Sequence, residues 1–142
     1  MLGRRELSEA QVRQRLARRG HSAEDVDAAV ERLTRERALD DARVAGAIAR
    51  TETSIKHRGR LRVGQQMARA GIDKATARQA LDETFGEIDD DALLAAALAR
   101  RLRNDHPIAD DREMQRLYRY LLRQGFEADK VLKALIARRR PR

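Results

Sequence analysis

The residues able to do chemistry are few and lie far apart. His21, His57 and His106 stand in separate connecting stretches, and no two are four apart, the spacing that sets two imidazoles on one helix face for a metal. Asp89, Asp90 and Asp91 are adjacent, but successive helical side chains point about 100° apart and do not converge on one ion. Aspartates so placed instead read as a helix cap and first turn, where their charge meets the positive end of the dipole. Ser8, Ser22 and Ser54 read as caps with no base beside them. The run Arg58-Gly59-Arg60-Leu61-Arg62-Val63-Gly64 lacks the Gly-Lys-Ser/Thr ending of a phosphate loop. Cysteine is absent, which removes thiolate nucleophiles, disulfides and cysteine-held metals. No catalytic residue, metal ligand or cofactor site is expected, and the chain does not read as an enzyme.

What remains is charge. Arg112, Arg116, Arg119 and Arg123 step by four, three and four, so they share one stripe of a helix. Arg58, Arg60, Arg62 and Arg69 form a second basic group. The formal net charge of +8 is uneven: residues 112–142 hold ten Lys and Arg against three Asp and Glu, a balance of +7, whereas residues 87–111 hold three against seven, or −4. Such asymmetry favours a polyanionic partner, nucleic acid first. The alternatives are a solvated face, or internal pairing of the stripe with Asp110, Asp111 and Glu113.

These side chains need helices to hold them, and the spacing supplies them. Residues 59–84 read as helix, tight turn, helix. Val63 and Met67 share a face, Gly71 ends the helix in a left-handed turn, Asp73 caps the next helix, and Ala77, Ala80, Leu81 and Thr84 trace its inward stripe. The pattern occurs three times. Val12, Leu16, Gly20 and Val30 lie 51 residues earlier, and Leu117, Leu121, Gly125 and Leu135 lie 54 later; Ala80 falls on Ala29 and Ala134. A period of about 50 residues marks a tandem array of supersecondary units. Aromatic residues are only 3% and charged residues 38%, which suits thin helical layers with aliphatic cores.

In order, Ser8 caps a helix to about Arg19, and Ser22 caps another to about Arg37. Asp40 and Asp41 open a third to about Ser54. Gly86 is expected to end the middle unit, Asp89 to Asp91 open a helix to about Arg103, and residues 104–111, with Pro107, read as a flexible joint. A last pair spans Arg112 to Gln124 and Ala128 to about Arg139. The units are drawn at 1–37, 38–86 and 87–142. The fold is thus expected to be all-α, an elongated row of three helix-turn-helix-like, three-helix repeats, the first lacking most of its leading helix. With no apolar signal region and no stretch near 18 apolar residues, a soluble, cytoplasmic protein with no membrane contact is expected.

Leu7-Ser8 followed by Val12, Leu16 and Gly20 resembles the RecX family, modulators of the RecA recombinase. So do the segment Ala38-Leu39-Asp40-Asp41-Ala42-Arg43-Val44-Ala45, Arg58-Gly59 with Val63, Met67 and Gly71-Ile72-Asp73, and Leu117, Leu121 and Gly125-Phe126. The resemblance covers nearly the whole chain. It departs in two places: family members usually carry a longer first helix before Arg4-Arg5-Glu6, and often read Tyr-Gly-Pro where this chain has Arg58-Gly59-Arg60. The resemblance implies a monomeric protein that lies along the RecA–single-strand DNA filament and inhibits recombinase, ATPase and coprotease activity. Direct DNA binding would be weak, and an array of units would gain by combining weak contacts along a repeating target.

A helix-turn-helix reader of duplex DNA is the competing function. It needs Arg, Asn or Gln at the exposed start of a recognition helix. The second helices begin Ser-Ala-Glu-Asp, Asp-Lys-Ala-Thr and Glu-Ala-Asp-Lys, so their acidic starts would repel phosphates. Positive charge sits on the preceding helices. The expected binding surface is Arg58, Arg60, Arg62, Arg69, Arg112, Arg116, Arg119 and Arg123, with Gly20, Gly71 and Gly125 as turn residues.

Overall fold

Helices in this chain start where a short polar side chain can serve the amides that a first turn leaves unpaired. In the computed structural model, which describes residues 7–35, 40–102 and 106–139, the helices are α1 Glu9–Arg18, α2 Ala23–Arg35, α3 Asp41–Ser54, α4 Arg60–Arg69, α5 Lys74–Glu87, α6 Asp90–Ala99, α7 Asp111–Arg123 and α8 Ala128–Arg138. Ser8, Ser22, Asp40, Asp73, Asp89 and Asp110 accept first-turn amides of six of them. Ser8 forms a full capping box, since its own amide donates to Gln11 Oε1 at 3.0 Å. The hydrogen bond from Thr76 helps hold the Asp73 carboxyl below the usual range.

The three turn glycines behave alike. Gly20, Gly71 and Gly125 have φ of +90°, +81° and +98°, and the residue after each donates back to Leu16, Met67 and Leu121 at 3.2, 3.1 and 3.3 Å. This is the left-handed helix ending that glycine adopts without steric cost. The apolar positions of the repeat then face inward. Val12, Val26 and Val30 make the smallest core, Val63, Met67, Ala70, Ile72 and Ala80 lie in the middle one, and Leu117, Leu121, Val131 and Leu135 in the third. Extensive helix packing runs within units: α1 on α2, α5 on α3 and α4, and α6 on α7 and α8. Phe85 packs against both larger cores. The accessible surface of 10003 Å² exceeds by about a third the ~7500 Å² of a compact monomer of this mass, in keeping with units set in a row.

One joint, used twice, connects the row. Ser8 and Gly59 are equivalent positions of the repeat, as are Ala70 and Gln124. The Ser8 hydroxyl donates to the Ala70 carbonyl; the Gly59 amide donates to the Gln124 carbonyl at 2.8 Å, and Leu61 to Gly125 at 3.2 Å. Each time, the start of a helix in one unit presses on the glycine turn of the next. The approach is close: a Cβ on Gly71 would stand 2.4 Å from Ala10 Cβ, and one on Gly125 2.3 Å from the Arg62 amide nitrogen. Around Gly20 nothing lies within 4 Å, so this turn is the open end among the described residues.

Four sequence expectations need correction. Gly86 does not end the middle unit; α5 continues through it to Glu87, and Ile88 leaves in extended conformation. Helix α6 stops at Ala99, short of Arg103. His57, expected from its place in a connecting stretch to be a solvated turn residue, is half-buried, with φ of +51° and an unpartnered Nδ1. The expected joint before α7 is packed structure over residues 106–111. Ile108 is fully buried, its amide donates to Arg138 at 2.8 Å, and it forms a short parallel bridge with Arg139. One apolar residue in a polar stretch turns a loop into a strap over the end of α8. Residues 104 and 105, the expected α2 end at Arg37, and the shortened leading helix at 1–6 lie outside the described residues.

Candidate functional site

Helix α7 presents three faces, because its sequence changes character every few residues around the wheel. Leu117 and Leu121 enter the core. Tyr118 lines a cleft with Leu132 and Leu135 of α8, and Leu122 is exposed. Arg112, Arg116, Arg119 and Arg123 occupy the exposed side, a stripe of positive charge about three turns long.

Arg116, Arg119 and Arg123 do not stand alone. Together with Arg101 and Tyr120 they line a cleft of about 390 Å³, Leu117 lying beneath and Glu113 at its edge. The Arg101 guanidinium, in the turn that follows α6, sits 4.1 Å from the Tyr120 ring centroid, a cation–π contact that holds it toward the α7 group. None of Arg112, Arg116, Arg119 and Arg123 forms an ion pair among the described residues. Their acidic neighbours are engaged elsewhere: Asp111 pairs with Arg139, Glu113 accepts the Ala109 amide at 3.2 Å, and Asp110 caps α7. Internal pairing of the stripe with these three carboxylates, one of the sequence alternatives, therefore does not occur. Four guanidinium groups around one cleft repel each other, and an anion carrying several oxygens would relieve that repulsion through charge-assisted, bidentate hydrogen bonds.

The second arginine group does not form one surface. Arg58 turns inward to Glu52 at 2.8 Å, the Glu52 side chain being only 8% exposed. This tie fixes the link between α3 and α4, since an unpaired carboxylate there would be costly. Arg60 is paired across the unit with Asp82. Arg62 crosses to the next unit and donates to the Arg123 carbonyl at 3.1 Å, which brings it beside the cleft. Arg69 is exposed and lines a separate depression with Arg50 and Gln66.

Sequence reasoning missed Arg101 and Tyr120. No local pattern marks them, since they meet only when α6 packs on α7. That packing is helped by Lys130, which bridges α8 to Asp90 of α6 at 3.3 Å, a hydrogen bond that raises the ammonium's pKa. Among the described residues no group of His, Cys, Asp and Glu is arranged to hold a metal, and no helix is long and apolar enough to cross a membrane.

Helix pairs with glycine turns, stacked through a repeated joint and presenting an arginine cleft, define an all-α tandem-repeat protein. The sequence matches, in order along the chain, the first RecX three-helix domain over residues 1–33, the second over 40–81 and the third over 89–135. Regulatory protein RecX of Neisseria meningitidis serogroup A is 36% identical over 135 residues, covering 95% of this chain and 84% of its own length. The protein of the same name from Chromohalobacter salexigens is 33% identical over 136 residues, with 95% and 86% covered, and that of Halorhodospira halophila is 34% identical over 137, with 96% and 83% covered. The chain belongs to the RecX family of regulatory proteins.

Proposed function

We propose that the protein regulates the RecA recombinase by binding, as a monomer in the cytoplasm, to the filament that RecA forms on single-stranded DNA, and that it inhibits recombinase, ATPase and coprotease activity by occupying that filament. The observation that carries this reading is the arginine cleft, four cations from α7 and the turn after α6 with their neighbouring carboxylates committed elsewhere. It suits an anionic surface, either phosphates or acidic side chains of the filament. No bond is made or broken in this action. The modules are the units 1–37, 38–86 and 87–142, whose succession suits a target that repeats along its axis.

Duplex reading by a helix-turn-helix is disfavoured on geometry as well as charge. A recognition helix must bring its start to the base edges. The turns that precede α5 and α8 are filled by α1 and α4 of the neighbouring units, and α8 begins at Glu127 and Asp129.

Binding of the protein to RecA filaments on single-stranded DNA, measured beside binding to that DNA alone, tests the proposal together with RecA ATPase. Tighter association with the filament and a fall in ATPase are expected. Equal affinity for bare DNA with undiminished ATPase would contradict it.

A further inference from the structure

The α8-facing side of α7 differs between units at equivalent positions. In the first unit Arg13 pairs with Asp27 across the two helices, and these residues occupy the places of Tyr118 and Leu132. In the second, Arg60 pairs with Asp82, in the places of Met114 and Ile136. Each of those units thus ties its helix pair with an ion pair, and in the second Arg60 and Asp82 lie in the lining of a depression of about 800 Å³. The third has four apolar side chains at these places, and its cleft of about 600 Å³ is lined by Met114, Tyr118, Leu132 and Leu135 together with Asp111, Gln115 and Arg119. Leu132 in this cleft is 45% exposed, and Ile136 and Leu122 on the same two helices are 58% and 36% exposed, an apolar surface of the kind that marks binding.

The charge around the cleft indicates what covers it. Arg119 lines it from α7 without an ion-pair partner among the described residues, while Asp111, also in the lining, is neutralised by Arg139. A second copy of a chain with net charge +8 would bring like charge to this edge. Phosphates would find an apolar floor. We propose that the α7/α8 cleft docks an amphipathic helix of a protein partner, with two apolar side chains a turn apart in the cleft and an acidic residue against Arg119. This rests on the proposed function, the partner being the protein component of the filament. Arg119 lines both clefts, so the protein-docking and anion-binding surfaces adjoin along one helix.

The test is the double substitution Leu132→Asn with Ile136→Gln, both at exposed positions, with the single Leu132→Asn as the milder form should the pair fold poorly. Affinity for RecA filaments on single-stranded DNA should fall roughly tenfold or more, the loss of one or two anchor residues, while affinity for the DNA alone and the thermal melt stay as in the parent. Unchanged filament affinity in either folded variant overturns the docking site and leaves the RecA reading standing. An equal loss of affinity for bare DNA reassigns the cleft to nucleic acid and overturns it too. So does a parent dimer in sedimentation that the substitution dissociates, since the occupant is then a second copy. A parent that ignores the filament altogether ends both proposals.

Discussion

At the scale of single residues, glycine does two jobs here and the substitutions separate them. Gly20 needs only its positive φ, since nothing lies within 4 Å. Gly71 and Gly125 need the same φ and also the space that the neighbouring unit fills. Gly59 needs only the space: its backbone is ordinary at φ −83°, but a Cβ would stand 2.6 Å from the Gly125 carbonyl oxygen. Gly20→Ala should therefore cost about 1–2 kcal/mol of backbone strain, and Gly59→Ala roughly 1–3 kcal/mol of overpacking with no strain. Gly125→Ala should exceed both. Thermal or urea melts of the three variants decide the matter, and a Gly59→Ala variant as stable as the parent would remove the joint. The left-handed turns were legible because glycine four residues past an apolar helix position has one common use. The joint was not, because Ser8 and Ala70 are 62 residues apart and nothing in either local sequence names the other.

At the scale of elements, the aspartate caps and the inward stripes were readable because each rests on contacts within about four residues. Asp40, Asp73 and Asp89 all stand where the sequence places them. The errors arose where packing between elements overrides local signals: Gly86 stays helical inside α5, and Ile108 converts a polar, proline-containing loop into a strap. The cleft shows the same division, since the α7 stripe follows from helical spacing whereas Arg101 arrives from the turn after α6. The strap makes its own prediction. Ile108→Ala should cost roughly 2–5 kcal/mol, the range for emptying a buried aliphatic site. It should also loosen the end of α8, where Ile108 bonds Arg138, seen as faster amide exchange in the last turn. A melt matching the parent would return residues 106–111 to the status of a free linker.

At the scale of the whole molecule, three small cores in series leave much of the surface to charge, and the positive excess is concentrated on the last helix pair, residues 112–142. The balance of +7 over residues 112–142 becomes functional geometry only through α7, where core, apolar cleft and arginine cleft share one helix. Because the arginines hold no ion pairs among the described residues, removing them should leave the fold intact; even exposed pairs contribute only about 0–1 kcal/mol. The most direct measurement is therefore RecA ATPase on single-stranded DNA with the triple variant Arg116→Ala, Arg119→Ala, Arg123→Ala, together with the salt dependence of direct DNA binding. Inhibition should weaken at an unchanged melting temperature, and the salt slope should fall by up to about one unit for each phosphate that the variant no longer neutralises. Full inhibition and an unchanged slope from a folded triple variant would contradict the account and leave the cleft a solvated face.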